Sequence, residues 1–399
     1  MITIEEHRAR ILEVARPTPA VTSELAEAIG GVLAADVLSR WPIPLFDNSA
    51  MDGYAVRRSD ATAGSRMRVV ADVAAGSADD PSIGPGEAVR IMTGAPLPSD
   101  ADAIVPLEQT DLGTAVRERA PEWITVLTQP SSGAHVRRKG EDSAAGALAV
   151  RAGTALGPWQ LSTIASAGFG QVSTHRPPRV AVISTGSELI APSATPRRGQ
   201  IPESNSVLLA AAVRASGAVL TSVRTVADDP AALRRALAVD ADAVIFSGGA
   251  SVGAFDVVRS VLGGEYGVQF DSVAMQPGKP QGFGVLESGM LAFCLPGNPV
   301  SVAVSFEVFV RPALRRMAGF ADIDRTHVVR AAGTGWNSPK GRTQVLPATF
   351  DETTVHPASR RGSGSHLVTS LAAASALAII PSDVERVRIG DPVSVMVLS

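Results

Sequence analysis

One cysteine, Cys294, is all the chain contains, which excludes an intrachain disulfide and any cysteine-built metal cluster. It lies in the apolar run Leu291-Ala292-Phe293-Cys294-Leu295 with no histidine nearby in sequence, so a packing role is expected rather than a nucleophile. Aromatic residues make up only 4% of the 399 positions, so the cores must be aliphatic. The six histidines show no paired ligand spacing, which argues against a zinc enzyme. An excess of one charge sign is missing too. With 36 Lys and Arg against 39 Asp and Glu, the net charge is −3, and no broad surface for nucleic acid or membrane is expected. No apolar run approaches the ~18 residues of a membrane span. Met1-Ile2-Thr3-Ile4-Glu5-Glu6-His7 carries acid where a secretion signal needs a basic and then an apolar stretch, so a cytoplasmic protein is expected.

Hydrophobic content of 45% is ample for packing, and the length calls for about two to four domains. The chain's most informative pattern lies between Arg179 and Ser301, where apolar runs break repeatedly into Gly-rich polar turns. Val180–Ile183 leads to Ser184-Thr185-Gly186-Ser187-Glu188, and Ala243–Phe246 leads to Ser247-Gly248-Gly249-Ala250-Ser251-Val252-Gly253. A third run, Val268–Met275, leads to Gln276-Pro277-Gly278-Lys279-Pro280, and Met290–Leu295 leads to Pro296-Gly297-Asn298-Pro299. Short β-rich runs alternating with helix-length stretches predict a mostly parallel sheet with its ligand beyond the carboxyl ends of the strands. Glycines let backbone N–H groups approach an anion, so a phosphate-bearing ligand is the leading reading.

The surrounding texture predicts a multidomain α/β and β fold. Residues 1–40 with 139–177 read as a discontinuous helical linker, including a helix near Ser23–Ala28 that ends at Gly30-Gly31. Residues 41–138 read as an inserted β domain, 178–320 as a three-layer α/β domain closing with a helix over Val300–Met317, and 321–399 as a small β-barrel.

Each candidate residue has a plain structural reading beside the functional one. Ser247 and Ser251 can donate to phosphate or other ligand oxygens, or the turn that holds them is merely tight. Asp256 fits either a helix cap or a Mg²⁺ ligand. Glu188 orients a ligand amine or a metal-bound water, or is a first-turn Glu favoured by the helix dipole. Ser204 or Asn205 is expected to N-cap the following helix, with ligand contact as the alternative for Asn205. Lys279, held between prolines, is prepared to meet an anion, or is a solvated surface cation. Ser301 sits in a first helical turn, where hydroxyl and free N–H groups can hold an oxyanion. Asn48 and Asp52 can build an Asx turn. Arg137-Arg138-Lys139-Gly140-Glu141-Asp142 reads as a solvated face.

Six strings together resemble the molybdopterin molybdenumtransferase family. They are Asn48-Ser49-Ala50-Met51-Asp52-Gly53-Tyr54, Met92-Thr93-Gly94-Ala95-Pro96, Gly140-Glu141-Asp142, Ser184-Thr185-Gly186-Ser187-Glu188-Leu189, Ser247–Gly253 and Pro296-Gly297-Asn298-Pro299-Val300-Ser301, in the family's order. The resemblance implies a homodimer whose cleft lies between the α/β domain of one subunit and the inserted β domain of the other. It implies a transferase that takes adenylylated molybdopterin and molybdate, with Mg²⁺, to molybdenum cofactor and AMP. A transient contact with the molybdopterin adenylyltransferase is implied as a further partnership. Tungstate has nearly the size and charge of molybdate, so either oxyanion remains open.

By the same resemblance, Asp52, Thr93, Asp142, Glu188, Asp228 and Lys279 are the catalytic set, and Asp228, Asp256 and Glu188 the metal set. Thr185, Gly186, Asn205, Ser247, Gly248, Gly249, Ser251, Gly253, Pro277, Gly278, Pro296, Gly297, Asn298, Ser301, Arg342 and Ser365 are the ligand-binding set, Lys279 and Ser301 holding molybdate and Arg342 and Ser365 closing over it. Two positions depart from the family pattern. Gln276 stands where many relatives have Lys, a loss of about 1–4 kcal/mol per unit charge for a cation about 4 Å from the oxyanion. Glu203 stands where relatives often have Asp.

Overall fold

The computed structural model describes residues 1–114, 118–248, 257–359 and 364–398. Its centre is a six-stranded sheet in the order Val219–Val226, Arg179–Thr185, Ala243–Ser247, Leu291–Leu295, Pro280–Val285 and Gln269–Ser272. The first four strands are mutually parallel, and the last two join through antiparallel pairings. Alternation along each strand divides two cores. Val180, Val182, Ile245 and Phe293 face one core with the helix Asn205–Ala215, while Ala181, Ile183, Phe246 and Cys294 face the other with the helices Pro230–Leu237 and Val257–Glu265. Cys294 is fully buried there, as its apolar run predicts.

The expected closing helix runs from Pro299 to Met317, interrupted by a π turn over Phe306–Val310. Pro312, just beyond, lacks the N–H that a regular α turn would direct at residue 308, which accounts for the widened ladder. The N-terminal helix Ile4–Val14 starts in a capping box between Thr3 and Glu6. It buries Ile11 in the first core and sets His7 edge-on to Phe309 of the π turn.

The linker region is not mainly helical. Ala20–Glu24 is a strand paired with Gln171–His175, which also pairs with Val32–Leu33, and only Leu25–Glu27 forms a 3₁₀ turn. The helical propensity of Leu25-Ala26-Glu27-Ala28 is too short to nucleate a helix before Gly30, and the non-local strand wins. Besides Ile4–Val14, which packs on the α/β core, the region has the helix Pro158–Ser166, packed around Leu33, Leu156 and Ile164. Between these pieces the chain builds a five-stranded sheet in the order Ala103–Pro106, Gly53–Val56, Glu87–Ile91, Arg66–Val73 and Trp123–Thr125.

The C-terminal strands close on themselves. Thr343–Phe350 pairs with both Thr354–Pro357 and Ala376–Ile380, and the circuit returns through Pro392–Val397 and His327–Ala332. Leu346, Ala348 and Val395 fill this barrel, while Val345, Leu377 and Met396 point outward into the first α/β core. A short segment, Met275–Gln276, adds in parallel to the barrel strand, Met275 opposite Thr343 and Gln276 opposite Gln344. The barrel is thus joined to the α/β domain at one of the Gly-rich turns.

Candidate active site

Three adjacent parallel strands end level with one another, Ser247 lying opposite both Ser184 and Leu295. Beyond their carboxyl ends opens a cleft of about 950 Å³, at the upper end of ordinary ligand sites. Its lining gathers Thr185, Gly186, Glu188, Asn205, Asp228, Ser247, Gly248, Pro277, Gly278, Lys279, Pro296, Gly297, Asn298 and Ser301 from the α/β domain. Arg342 and Ser365 join them from the barrel region. Residues this distant in sequence meet because a parallel sheet delivers every strand to the same edge.

The turns touch. Gly248 has φ +92°, and a side chain there would fall 2.6 Å from the Thr185 carbonyl oxygen, so only glycine fits. A Cβ on Gly297 would lie 3.5 Å from Gly248 Cα. Asn205 closes the ring by donating from Nδ2 to the Gly297 carbonyl at 2.6 Å. That bond fixes the amide's orientation and leaves Oδ1 as an acceptor.

Three buried polar atoms in this ring have no partner among the described residues: Thr185 Oγ1, Ser247 Oγ and Asn205 Oδ1. A buried polar atom left unpaired costs about 1–3 kcal/mol, and three around one cleft mark a place for a ligand bearing both donors and acceptors. Lys279 and Arg342 supply the positive charge. Neither enters a salt bridge among the described residues.

On the opposite side, Asp228 Oδ2 accepts from the Ser187 backbone N–H and from its hydroxyl, both at 3.0 Å. Glu188 folds back over Gly186, its carboxylate 2.6 Å from where a Cβ would stand. The barrel side is latched to the helix that begins at Pro299. Val300 donates its backbone N–H to the Ser365 carbonyl at 3.1 Å, and Asn298 Nδ2 donates to Ser365 Oγ at 2.9 Å.

Capping of the helix Asn205–Ala215 differs from expectation, since neither Ser204 nor Asn205 caps it with its side chain. Glu203 does so from one residue earlier, Oε1 accepting from the Ser206 N–H at 2.9 Å and from Ser184 Oγ at 3.1 Å. Its longer side chain, unlike an Asp, reaches both the helix and the strand end. His366 also lines the cleft. No sequence signal had singled it out.

Asp52, Thr93 and Asp142 do not line this cleft. The structure does unite the first two: Asp52 Oδ1 accepts from the Thr93 N–H at 2.7 Å and its hydroxyl at 2.8 Å. Those bonds, the backbone one first, hold the Asp52 carboxyl below its ordinary range. Asp142 is exposed and gives its N–H to Ile43. In the turn at 48–52, Ser49 Oγ accepts from the Met51 N–H, while Asn48 Nδ2 donates to the Phe46 carbonyl. Arg138 is not simply solvated, since it pairs with Asp47 at 2.6 Å. Gly249, Ser251, Gly253 and Asp256 lie outside the described residues.

Comparison with known proteins decides the family. Residues 2–168 match the model of the MoeA N-terminal region (domain I and II), 181–316 that of a probable molybdopterin binding domain, and 325–398 that of the MoeA C-terminal region (domain IV). Molybdopterin molybdenumtransferase 2 of Mycobacterium tuberculosis (strain ATCC 25618 / H37Rv) is 42% identical over 99% of both chains. The chain belongs to the molybdopterin molybdenumtransferase family.

A second member of that family from the same organism, molybdopterin molybdenumtransferase 1, is 36% identical over 100% of this chain and 99% of its own. The crystal structure of a molybdopterin biosynthesis MoeA protein from Pyrococcus horikosii superposes with TM-score 0.83 at 31% identity, covering 100% of this chain and 99% of that one. Family membership makes the chain a transferase of molybdenum cofactor biosynthesis. Among the described residues no helix is long and apolar enough to cross a membrane.

Proposed function

We propose that this chain takes adenylylated molybdopterin and molybdate, inserts the metal and releases AMP. The observation that carries the reading is the pairing, in one cleft, of three buried polar atoms and two cations, the former without hydrogen-bond partners and the latter without ion pairs among the described residues. Thr185 Oγ1, Ser247 Oγ and Asn205 Oδ1 suit the mixed donors and acceptors of a pterin or nucleotide. Lys279 and Arg342 suit the oxyanion, with the Ser301 and Ser365 hydroxyls as donors beside them.

Water adds across the pyrophosphate link of the substrate, AMP leaves carrying the new P–O bond, and molybdenum passes from molybdate to the pterin as the displaced molybdate oxygen departs as water. Lys279 and Arg342 hold molybdate against the pterin end and offset charge as the phosphates separate. Glu188 and Asp228 are the residues that would hold Mg²⁺. Two carboxylates, completed by substrate phosphates and water, form the oxygen set this ion ordinarily takes. No group of three or more such ligands converges among the described residues. When bound, the ion supplies charge neutralisation on the phosphates.

Asp52, Thr93 and Asp142 fit this scheme if they reach the cleft of a second copy. Support for a homodimer comes from an apolar surface around Leu38 and Leu148, which are cross-strand partners yet exposed, and around Trp159, which is 84% exposed. A transient contact with the molybdopterin adenylyltransferase would hand over the labile adenylylated substrate, and a cytoplasmic setting suits that exchange. The test is AMP release from adenylylated molybdopterin with Mg²⁺, with and without molybdate. Molybdate-stimulated release with formation of active cofactor supports the reading, and ligand binding without any release overturns it.

A further inference from the structure

The loop that carries Lys279 cannot brace itself. Pro277 and Pro280 lack backbone N–H groups, so two of the donors that would normally tie down a short turn are missing. Gly278, between them, has φ +102°, and a side chain there would meet Ser305 Oγ at 3.0 Å and both Gln281 Nε2 and the Met275 methyl at 3.2 Å. The loop is therefore tightly enclosed yet short of its own hydrogen bonds.

Gln281 supplies what is absent. Only 1% exposed, it sits behind the loop, outside the cleft lining. Its Nε2 donates to the Gly278 carbonyl at 2.7 Å and to Ser305 Oγ at 2.7 Å. Ser305 is itself fully buried and ends the helix Pro299–Ser305, which carries Ser301 into the cleft. The Lys279 carbonyl accepts from the Val273 N–H at 2.7 Å. One buried amide group thus ties the Lys279 loop to the Ser301 helix.

We infer that Gln281 is a positioning residue for the oxyanion, setting the separation of Lys279 from Ser301 through Gly278 and Ser305. This rests on the reading of the cleft proposed above. A tetrahedral dianion gripped from two elements is sensitive to their spacing, whereas later steps depend on it less. The signature is accordingly a rise in molybdate half-saturation with little change in kcat.

The experiment measures molybdate-dependent AMP release, and titrates sodium molybdate calorimetrically into the full-length protein, for wild type, Gln281→Leu, Ser305→Ala and Lys279→Ala. Gln281→Leu keeps the volume but leaves the Gly278 carbonyl and Ser305 hydroxyl unpaired, and half-saturation should rise about tenfold with kcat held within about threefold. Ser305→Ala, which spares the bond to Gly278, should move the same quantity in the same direction by about two- to threefold. It serves in place of Gln281→Leu should that variant not fold. Loss of thermal stability with half-saturation and molybdate affinity unchanged would overturn the inference and leave Gln281 a packing residue. If Lys279→Ala also leaves half-saturation unchanged, it is the reading of the cleft that fails.

Discussion

Asp52 and Thr93 are 41 residues apart and joined twice, the carboxylate accepting from both the backbone N–H and the hydroxyl of the threonine. The pair holds two of the family's strings in one fixed arrangement on the β domain, away from the cleft of its own chain. If the working site is completed by a second copy, a defect in Asp52 and a defect in Lys279 lie in different halves of that site. Co-expressed Asp52→Ala and Lys279→Ala chains should then restore about a quarter of wild-type AMP release, since half the dimers are mixed and each of those has one intact site. Two inactive variants whose mixture stays inactive would place all the chemistry within one chain.

Restoring a cation at Gln276 tests the oxyanion end. Gln276 lines the cleft two residues from Gly278, and a charge about 4 Å from a dianion is worth about 1–4 kcal/mol per unit charge. Gln276→Lys should lower the molybdate half-saturation by about tenfold. An unchanged value would mean that this position does not face the anion.

Glu203 provides a stability test with a functional echo. Its carboxylate is buried and accepts from Ser184 Oγ and Ser206 N. Glu203→Gln turns one acceptor oxygen into a donor facing those groups, at a cost of about 1–3 kcal/mol. Chemical denaturation should show that loss, and ligand affinity should fall as Asn205, at the head of the same helix, loses its setting. Full stability would remove Glu203 from the account of how this helix is held.

Acid sensitivity should trace in part to His7. Burial, opposed by the nearby Asp271 carboxylate, lowers its pKa from 6.5 to about 4. Its folded value lies below its unfolded one, so stability is full above pH 6.5 and falls as the pH drops toward 4, while the unfolded chain alone takes up the proton. The accumulated loss is roughly 3 kcal/mol. Denaturation curves at pH 7 and pH 5 should differ less in His7→Leu than in wild type. An equal pH dependence in both would assign the acid sensitivity to other groups.

Much of the central domain is legible in its sequence. The runs at Val180, Ala243 and Leu291 are short, aliphatic and followed by glycine, because strands buried on both faces need no polar alternation. Reading failed where distant pairing decides the outcome. Ala20–Glu24 is a strand only because Gln171–His175 lies beside it, and the run read from Val268 to Met275 divides between the edge of the main sheet and the edge of the barrel. At the site, Thr185, Ser247, Lys279 and Ser301 announce themselves by polar chemistry at strand ends. Glu203 as a cap and Gln281 as a brace were hidden, since each acts through partners that the fold alone assembles.

The parallel pairing of Gln276 with Gln344 makes the barrel and the Lys279 loop a single mechanical body. With Ser365 latched to the head of the Pro299 helix, the C-terminal region meets the cleft at two places. An oxyanion held between the Lys279 loop and the Ser301 helix therefore lies between two elements that the C-terminal strands already touch.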